Sequence, residues 1–193
     1  MKNFLHNYSY SAVKMFVNQF AISIFGAMLS MATTAAENNT LAVLCSVLAI
    51  VFYLFLIYTQ TWEIGAKDRI SVDIGKKEYK PHTGLGISAL ANIPNFIIAI
   101  TFFFVLIVFP QSEIAANVRT IASLFNMLFE GMYLGVLTTI KVGERTLLTF
   151  WWMYFLITVP AMLTSWLAYY LGHKNKKFTT LFDYQAPSKA KRK

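Results

Sequence analysis

Residues 41–60 read LAVLCSVLAIVFYLFLIYTQ, an unbroken run of apolar and uncharged side chains. A hydrocarbon core about 30 Å thick is crossed by about 20 helical residues, each of which rises 1.5 Å. This run therefore has the length and composition of a transmembrane helix. Runs of similar length recur elsewhere in the chain, at residues 12–33, 85–109, 117–140 and 147–171. They predict an all-α, polytopic integral membrane helix bundle with four or five transmembrane helices.

The composition of the whole chain supports this class. The 193 residues are 56% hydrophobic and only 13% charged, whereas soluble domains carry about 25% charged residues. Little sequence lies outside the apolar runs, so residues 1–177 are predicted to form a single membrane domain with no separate soluble module. Residues 178–193 are predicted to be a flexible basic tail. The first run is too long for the apolar part of a signal peptide, and we expect it to be retained.

Basic residues predict the orientation of the chain. The net charge is +8, and lysine and arginine favour the cytoplasmic side of a membrane. The loop 61–84 is therefore predicted to be cytoplasmic, as is the basic C-terminus, in a cell membrane of the bacterial type. Beside apolar runs, such residues are expected to contact anionic lipid headgroups or a partner protein rather than nucleic acid. The loop residues concerned are Lys67, Arg69, Lys76, Lys77 and Lys80.

The number of spans is open, because the loop 61–84 and the C-terminus can share a side only if an even number of crossings separates them. Five spans divide the basic residues almost evenly between the two sides, and the charge rule then predicts no orientation. Four spans, with segment 117–140 re-entrant or interfacial, leave only Arg119, Lys141 and Arg145 on the outer side. The four-span arrangement is favoured for this reason.

Segment 117–140 carries a polar stripe at helical spacing. Its members are Arg119, Ser123, Asn126, Glu130 and Tyr133. A carboxyl group in an apolar run is unfavourable unless it faces protein or water. Glu130 could therefore line a proton or cation path or a polar-solute site. The alternatives are an interfacial amphipathic helix whose polar face meets water, and an interhelical ion pair with Lys141 or Lys14.

Two further patterns predict helix geometry and packing. Asn92, Pro94 and Asn95 indicate a kink, with the asparagine side chains bonding to freed backbone groups, to a neighbouring helix or to a substrate. Small residues at helical spacing permit close contact between helices or between two copies of the chain. The predicted packing residues are Gly26, Ser30, Gly131 and Gly135.

The loop 61–84 contains several acidic residues and one alternating stretch. Glu63 and Lys67 have the i,i+4 spacing that extends helix two beyond the membrane. Residues 69–74 alternate polar and apolar side chains, which is typical of a short hairpin or an interfacial segment. Asp68, near Asp73 and Glu63, is expected to be a solvated loop residue with no catalytic role.

Motifs for chemistry are missing from the sequence. It has no phosphate-binding GxxxxGK[ST] loop, no HExxH, no CxxC and no GxSxG, so neither a catalytic residue, a metal site nor a cofactor is predicted. The leading hypothesis is a non-enzymatic, transport-type component, a pore or permease subunit that forms a homo-oligomer or joins a membrane complex. The alternative is an accessory or scaffold subunit that docks a cytoplasmic partner through the loop 61–84 and the basic tail. A membrane-embedded enzyme is less favoured.

Overall fold

The computed structural model describes residues 2–108 and 113–176, and the predicted tail 178–193 lies outside them. The described part is almost entirely helical, as predicted. Its helices are α1 (Lys2–Ala35), α2 (Asn39–Asp73), α3 (Thr83–Ala91), α4 (Ile93–Val108), α5 (Glu113–Glu130), α6 (Leu134–Thr139), α7 (Met153–Leu156) and α8 (Val159–His173). Short 3-10 turns cover Gly131–Tyr133 and Leu147–Thr149, and a two-stranded antiparallel hairpin pairs β1 (Lys141–Val142) with β2 (Arg145–Thr146).

Within the described residues, three helical stretches are long and apolar enough to cross a membrane: Phe4–Ala35, Asn39–Asp73 and Met153–His173. A fourth candidate is the pair of Thr83–Ala91 and Ile93–Val105, which bends by 60°. Large apolar side chains such as Phe52, Phe55 and Phe104 lie on the outer surface of these helices. Such an exposed apolar surface is compatible with insertion into a bilayer.

Helices α1 and α2 form a long antiparallel hairpin. The Asn18 amide donates to Gln60 Oε1 at 3.0 Å, and the Gln60 amide donates to the Ser11 carbonyl at 2.9 Å. The Tyr8 hydroxyl reaches Asp68 near the far end of α2. We call this end of the bundle the Asp68 end and the opposite one, where α1 turns into α2, the Ala42 end.

Helix α8 runs parallel to α2 and ends at the Asp68 end. The Thr61 and Ser165 hydroxyl oxygens are 3.3 Å apart, and the Tyr169 hydroxyl donates to Asp68 at 3.0 Å. The ring centroids of Tyr79, in the segment after α2, and His173, the last residue of α8, lie 3.9 Å apart. The segment after α2 and the end of α8 therefore meet at the same end of the bundle.

Between the Asp68 end and the Ala42 end, two segments that are far apart in sequence follow one another in space. Helix α3 covers the first half, and the 3-10 turn with α6 covers the second, where Gly135 packs against Ala42. Between these pieces, α4 and α5 form a helical hairpin that leaves the bundle at Asn92 and returns to it at Glu130. The side chains of Phe102 and Phe103 pack against Tyr154 and Trp151 near the Ala42 end.

The hairpin predicted as one alternative for residues 69–74 is wrong, because α2 continues to Asp73 and an Arg69–Asp73 ion pair at 3.6 Å has helical i,i+4 spacing. The loop is consequently limited to residues 74–82, and Gly75 turns the chain with a positive φ of 73°. A hairpin does occur at residues 141–146, where Gly143 takes the left-handed conformation of a tight turn.

Candidate functional site

Glu130 lies in the middle of the bundle and is buried, with only 3% of its surface exposed. Its Oε1 atom accepts one hydrogen bond from the Gln19 amide at 2.8 Å and one from the Asn95 amide at 2.5 Å. Asn95 also donates to Asn92 Oδ1, and the Asn92 amide donates to the Ser88 carbonyl, both at 2.9 Å. Side chains from α1, the α3–α4 break and the end of α5 therefore converge on one carboxyl group, in what we call the Glu130 cluster.

The α-helix is interrupted at Glu130, and polar side chains satisfy the groups that the break sets free. Glu130 has φ −132° and ψ 20°. The Ser23 hydroxyl accepts from the Gly131 N–H and donates to the Met127 carbonyl. The Gln19 amide also donates to the Phe129 carbonyl, and the Ser46 hydroxyl donates to the Met132 carbonyl. Interrupted helices in lipid require such internal partners.

The predicted polar stripe on segment 117–140 is only partly brought together. The 3-10 turn interrupts the helix after Glu130, so Tyr133 does not continue the face that a regular helix predicts. The side chains of Arg119, Ser123 and Asn126 lie outside the described part of the structure. Glu130 bonds to amides, and the predicted ion-pair partners Lys14 and Lys141 are both exposed.

Several oxygen atoms in and around the Glu130 cluster are buried without a hydrogen-bond partner among the described residues. They are Gln19 Oε1, Asn95 Oδ1, Tyr53 Oη and Tyr133 Oη. Both tyrosine hydroxyls are close enough to interact electrostatically with Glu130. A cavity of about 10 Å³ touches Asn95, Glu130 and Tyr154, which is room for about one water molecule.

A second polar cluster lies at the Asp68 end. Asp68 is 6% exposed, and its Oδ2 atom accepts from Tyr8 at 2.5 Å and from Tyr169 at 3.0 Å. Its Oδ1 atom pairs with Lys77 Nζ at 2.8 Å. The prediction of a solvated loop residue is wrong, because Asp68 joins α1, α2, α8 and the 74–82 loop.

An apolar layer separates the two clusters. It is formed by Met15, Ile57 and Ile87, which are almost completely buried and belong to one hydrophobic core. Met15 lies one helical turn from Gln19, and Ile57 lies one turn from Tyr53. The layer therefore lies between the Glu130 cluster and the Asp68 end.

The five basic residues predicted to contact lipid or a partner have different roles in the structure. Lys67, Lys76 and Lys80 are exposed, and Arg69 is half-buried beside Asp73. Lys77 pairs with Asp68 and lies 5.0 Å from the centre of the Tyr8 ring. Nearby, Lys174 Nζ lies 4.4 Å from the centre of the Tyr170 ring, and the Tyr170 side chain raises the pKa of the Lys174 ammonium.

The four predicted packing residues are buried, and three of them make close contacts within the chain. A Cβ atom on Gly26 would collide with the Met132 backbone, and one on Gly131 would collide with the Ser23 carbonyl. Gly135 meets the Ala42 carbonyl in the same way. These contacts pack residues 131–139 against α1 and α2 of the same chain. The sequence had left contact between two copies of the chain as an alternative.

Sequence reasoning missed most partners of the two acidic groups. Tyr8, Met15, Gln19 and Ser23 succeed each other on α1 at spacings of seven, four and four residues, all on one face. That spacing predicts that Gln19 and Ser23 face the same neighbours as Met15, and a polar group on a buried face needs a partner. The sequence carries no comparable signal for Tyr53, whose neighbours on α2 are apolar on every side.

Comparison with known proteins provides no relative, since no protein-family model, curated protein or solved structure matches the chain. Among the described residues, no group of three or more His, Cys, Asp or Glu side chains could hold a metal ion. The fold and the site thus define a class: an all-helical chain with three or four helices able to span a membrane and a buried carboxyl group between them.

Proposed function

We propose that the chain is an integral membrane protein with four crossings. The crossings are α1, α2, the bent pair of α3 and α4, and the stretch from α7 through α8. Together α3 and α4 supply roughly 37 Å of helix, enough to cross a hydrocarbon core of about 30 Å with the bend between them. Segment 117–140 is then re-entrant, because α5 leads inward to Glu130 and α6 returns to the Ala42 end.

The Asp68 end is proposed to face the cytoplasm. Lys67, Lys76, Lys80 and Lys174 lie there, and only Lys141 and Arg145 come after α6 at the other end in the described residues. This distribution is the one that the positive-inside rule favours for four crossings. The contact between Tyr79 and His173 supports a common side for both segments.

Single cysteines test this topology. After Cys45→Ala removes the native thiol, cysteines at positions 76 and 174 are expected to react with a membrane-impermeant maleimide from the same side. A cysteine at position 144, in the turn of the β1–β2 hairpin, is expected to react from the other side. Labelling of positions 76 and 174 from opposite sides would contradict the four-crossing arrangement.

We infer that the molecular function is transport-type, with the Glu130 cluster as a proton or small-cation site. The observation that carries this inference is the buried carboxyl group, which bonds to two neutral amides and to no cationic side chain among the described residues. Burial disfavours a charged carboxylate, whereas amide donors favour one. Such opposition is typical of groups that bind and release a proton or a cation inside a membrane.

The dimensions of the site limit the proposed cargo. A cavity of about 10 Å³ has room for one water molecule or a small ion but not for an organic solute. Carboxyl, amide and hydroxyl oxygens are also the ligands that hard cations prefer. The apolar layer of Met15, Ile57 and Ile87 would close the path toward the Asp68 end in this conformation.

Glu130→Gln is the direct test of transport. Glutamine has the same shape and keeps the oxygen that accepts from Gln19 and Asn95, so we expect the variant to fold. It cannot carry a negative charge, and we expect proton or cation flux into proteoliposomes to be abolished. The exposed Glu144→Gln variant is the matched control and should keep wild-type flux. Equal flux from both variants would remove Glu130 from the mechanism.

A second candidate function is that of an accessory subunit, favoured by the exposed charges of Lys67 and Lys76 at the Asp68 end. In that case the partner would be a cytoplasmic or membrane protein with an acidic surface. Reconstituted protein would show no flux, and Lys67→Glu with Lys76→Glu would abolish co-purification of the partner. The Glu130 cluster would then serve only to join the helices.

A further inference from the structure

A cavity of about 170 Å³ opens at the Asp68 end, between the start of α1 and the 74–82 loop. It is about 17 times the volume of the cavity beside Glu130. Its wall carries both signs of charge together with neutral polar groups, from Asn7, Lys77, Glu78, Lys80 and Thr83. The Phe4 ring contributes an apolar side.

One wall of the cavity presents a lysine that is already fixed in place. The Lys77 ammonium is 2.8 Å from Asp68 Oδ1 and lies over the Tyr8 ring. An ammonium group has three N–H donors, so two remain after the bond to Asp68. Lys80, which is exposed, forms no ion pair within the described residues and adds a positive charge that Asp68 does not balance.

We propose that this cavity binds the phosphodiester headgroup of a membrane phospholipid. Lys77 and Lys80 would contact the phosphate oxygens. Glu78 and Asn7 would accept hydrogen bonds from an ammonium or hydroxyl group farther along the headgroup, as in phosphatidylethanolamine or phosphatidylglycerol. The inference rests on the proposed membrane placement, which brings the Asp68 end to the headgroup layer, and not on transport.

The mixed charge of the cavity distinguishes this site from general attraction to an anionic surface. Exposed lysines attract any acidic lipid by about 1 kcal/mol each and do not select the group attached beyond the phosphate. Glu78 repels a negatively charged headgroup that has no hydrogen-bond donor beyond the phosphate and favours one with N–H or O–H donors. Phosphatidylcholine has the same phosphate but no N–H or O–H donor, so it is expected to bind more weakly.

Binding is tested on the full chain in detergent, where flux plays no part. The midpoint of thermal unfolding is monitored while phosphatidylethanolamine or phosphatidylglycerol is titrated. We expect Lys80→Gln to weaken the apparent affinity about fivefold. Lys76→Gln, which removes an exposed lysine of the same loop that does not line the cavity, should leave the affinity unchanged. Lys77 is kept, because it also holds Asp68.

The remaining outcomes separate the sources of the phosphate. Stabilisation by glycerol 3-phosphate or inorganic phosphate equal to that by the lipids would assign the cavity to a soluble phosphate compound and overturn the lipid proposal. Equal losses in Lys80→Gln and Lys76→Gln would show general surface attraction and overturn the site. A failure of flux in wild-type protein would affect the transport proposal alone.

Discussion

Asp68→Ala is expected to destabilise the folded protein by roughly 3 kcal/mol, because it leaves a lysine and two tyrosines without their common partner. Tyr8 comes from α1, Tyr169 from α8 and Lys77 from the loop. A buried hydroxyl that loses its only acceptor costs about 1–3 kcal/mol. The Lys77 contribution is discounted, since about a third of this side chain is exposed and water replaces part of the interaction.

Asp73→Ala is the matched control for Asp68→Ala. Asp73 lies five residues later on the same helix and pairs with Arg69, but the side chains of that pair are 41% (Arg69) and 63% (Asp73) exposed. Exposed pairs at i,i+4 contribute about 0.3–0.5 kcal/mol. The free energy of unfolding, measured in mixed micelles as the fraction of SDS rises, should therefore separate the two variants clearly. Similar values would show that Asp68 does not join the helices as described.

These two aspartates also show where sequence-based prediction ends. Both occur in the polar stretch after the second apolar run, and composition predicts solvent for each. Asp68 is buried by Tyr8 and Tyr169, which are 60 and 101 residues away in the sequence. No local pattern contains that information, because the burial depends on how α1 and α8 pack against α2.

The helical class was predictable for a different reason. A long run such as residues 41–60 has to satisfy its own backbone in an apolar medium, and helical hydrogen bonds are local. Glu130 was likewise predictable as a residue in need of a partner, because a carboxyl group in an apolar run is costly on its own. The break after Glu130 could not be predicted, since it depends on hydroxyl groups of Ser23 and Ser46 that replace helical hydrogen bonds.

Gly84→Ala is expected to destabilise the protein by about 2 kcal/mol, although alanine favours helix over glycine by up to about 1 kcal/mol. A Cβ atom at position 84 would collide with the Ser165 carbonyl of α8 and crowd the Tyr169 Cβ atom. Relief requires α3 and α8 to move apart. That movement would also stretch the 2.7 Å hydrogen bond from the Ser165 hydroxyl to the Gly84 carbonyl.

Gly86→Ala, two residues later on the same helix, is the matched control for Gly84→Ala, because its new Cβ atom would meet a side chain and no backbone atom. Its Cβ atom would meet only the end of the Phe4 ring, at 2.8 Å, and a flexible side chain can turn away. Alanine favours helix more than glycine does. The free energy of unfolding of Gly86→Ala should therefore lie within about 0.5 kcal/mol of the wild-type value or exceed it. Unfolding in SDS micelles compares the two variants. Equal stability would mean that α3 and α8 can separate freely, which the shared contacts of Gly84, Ser165 and Thr61 argue against.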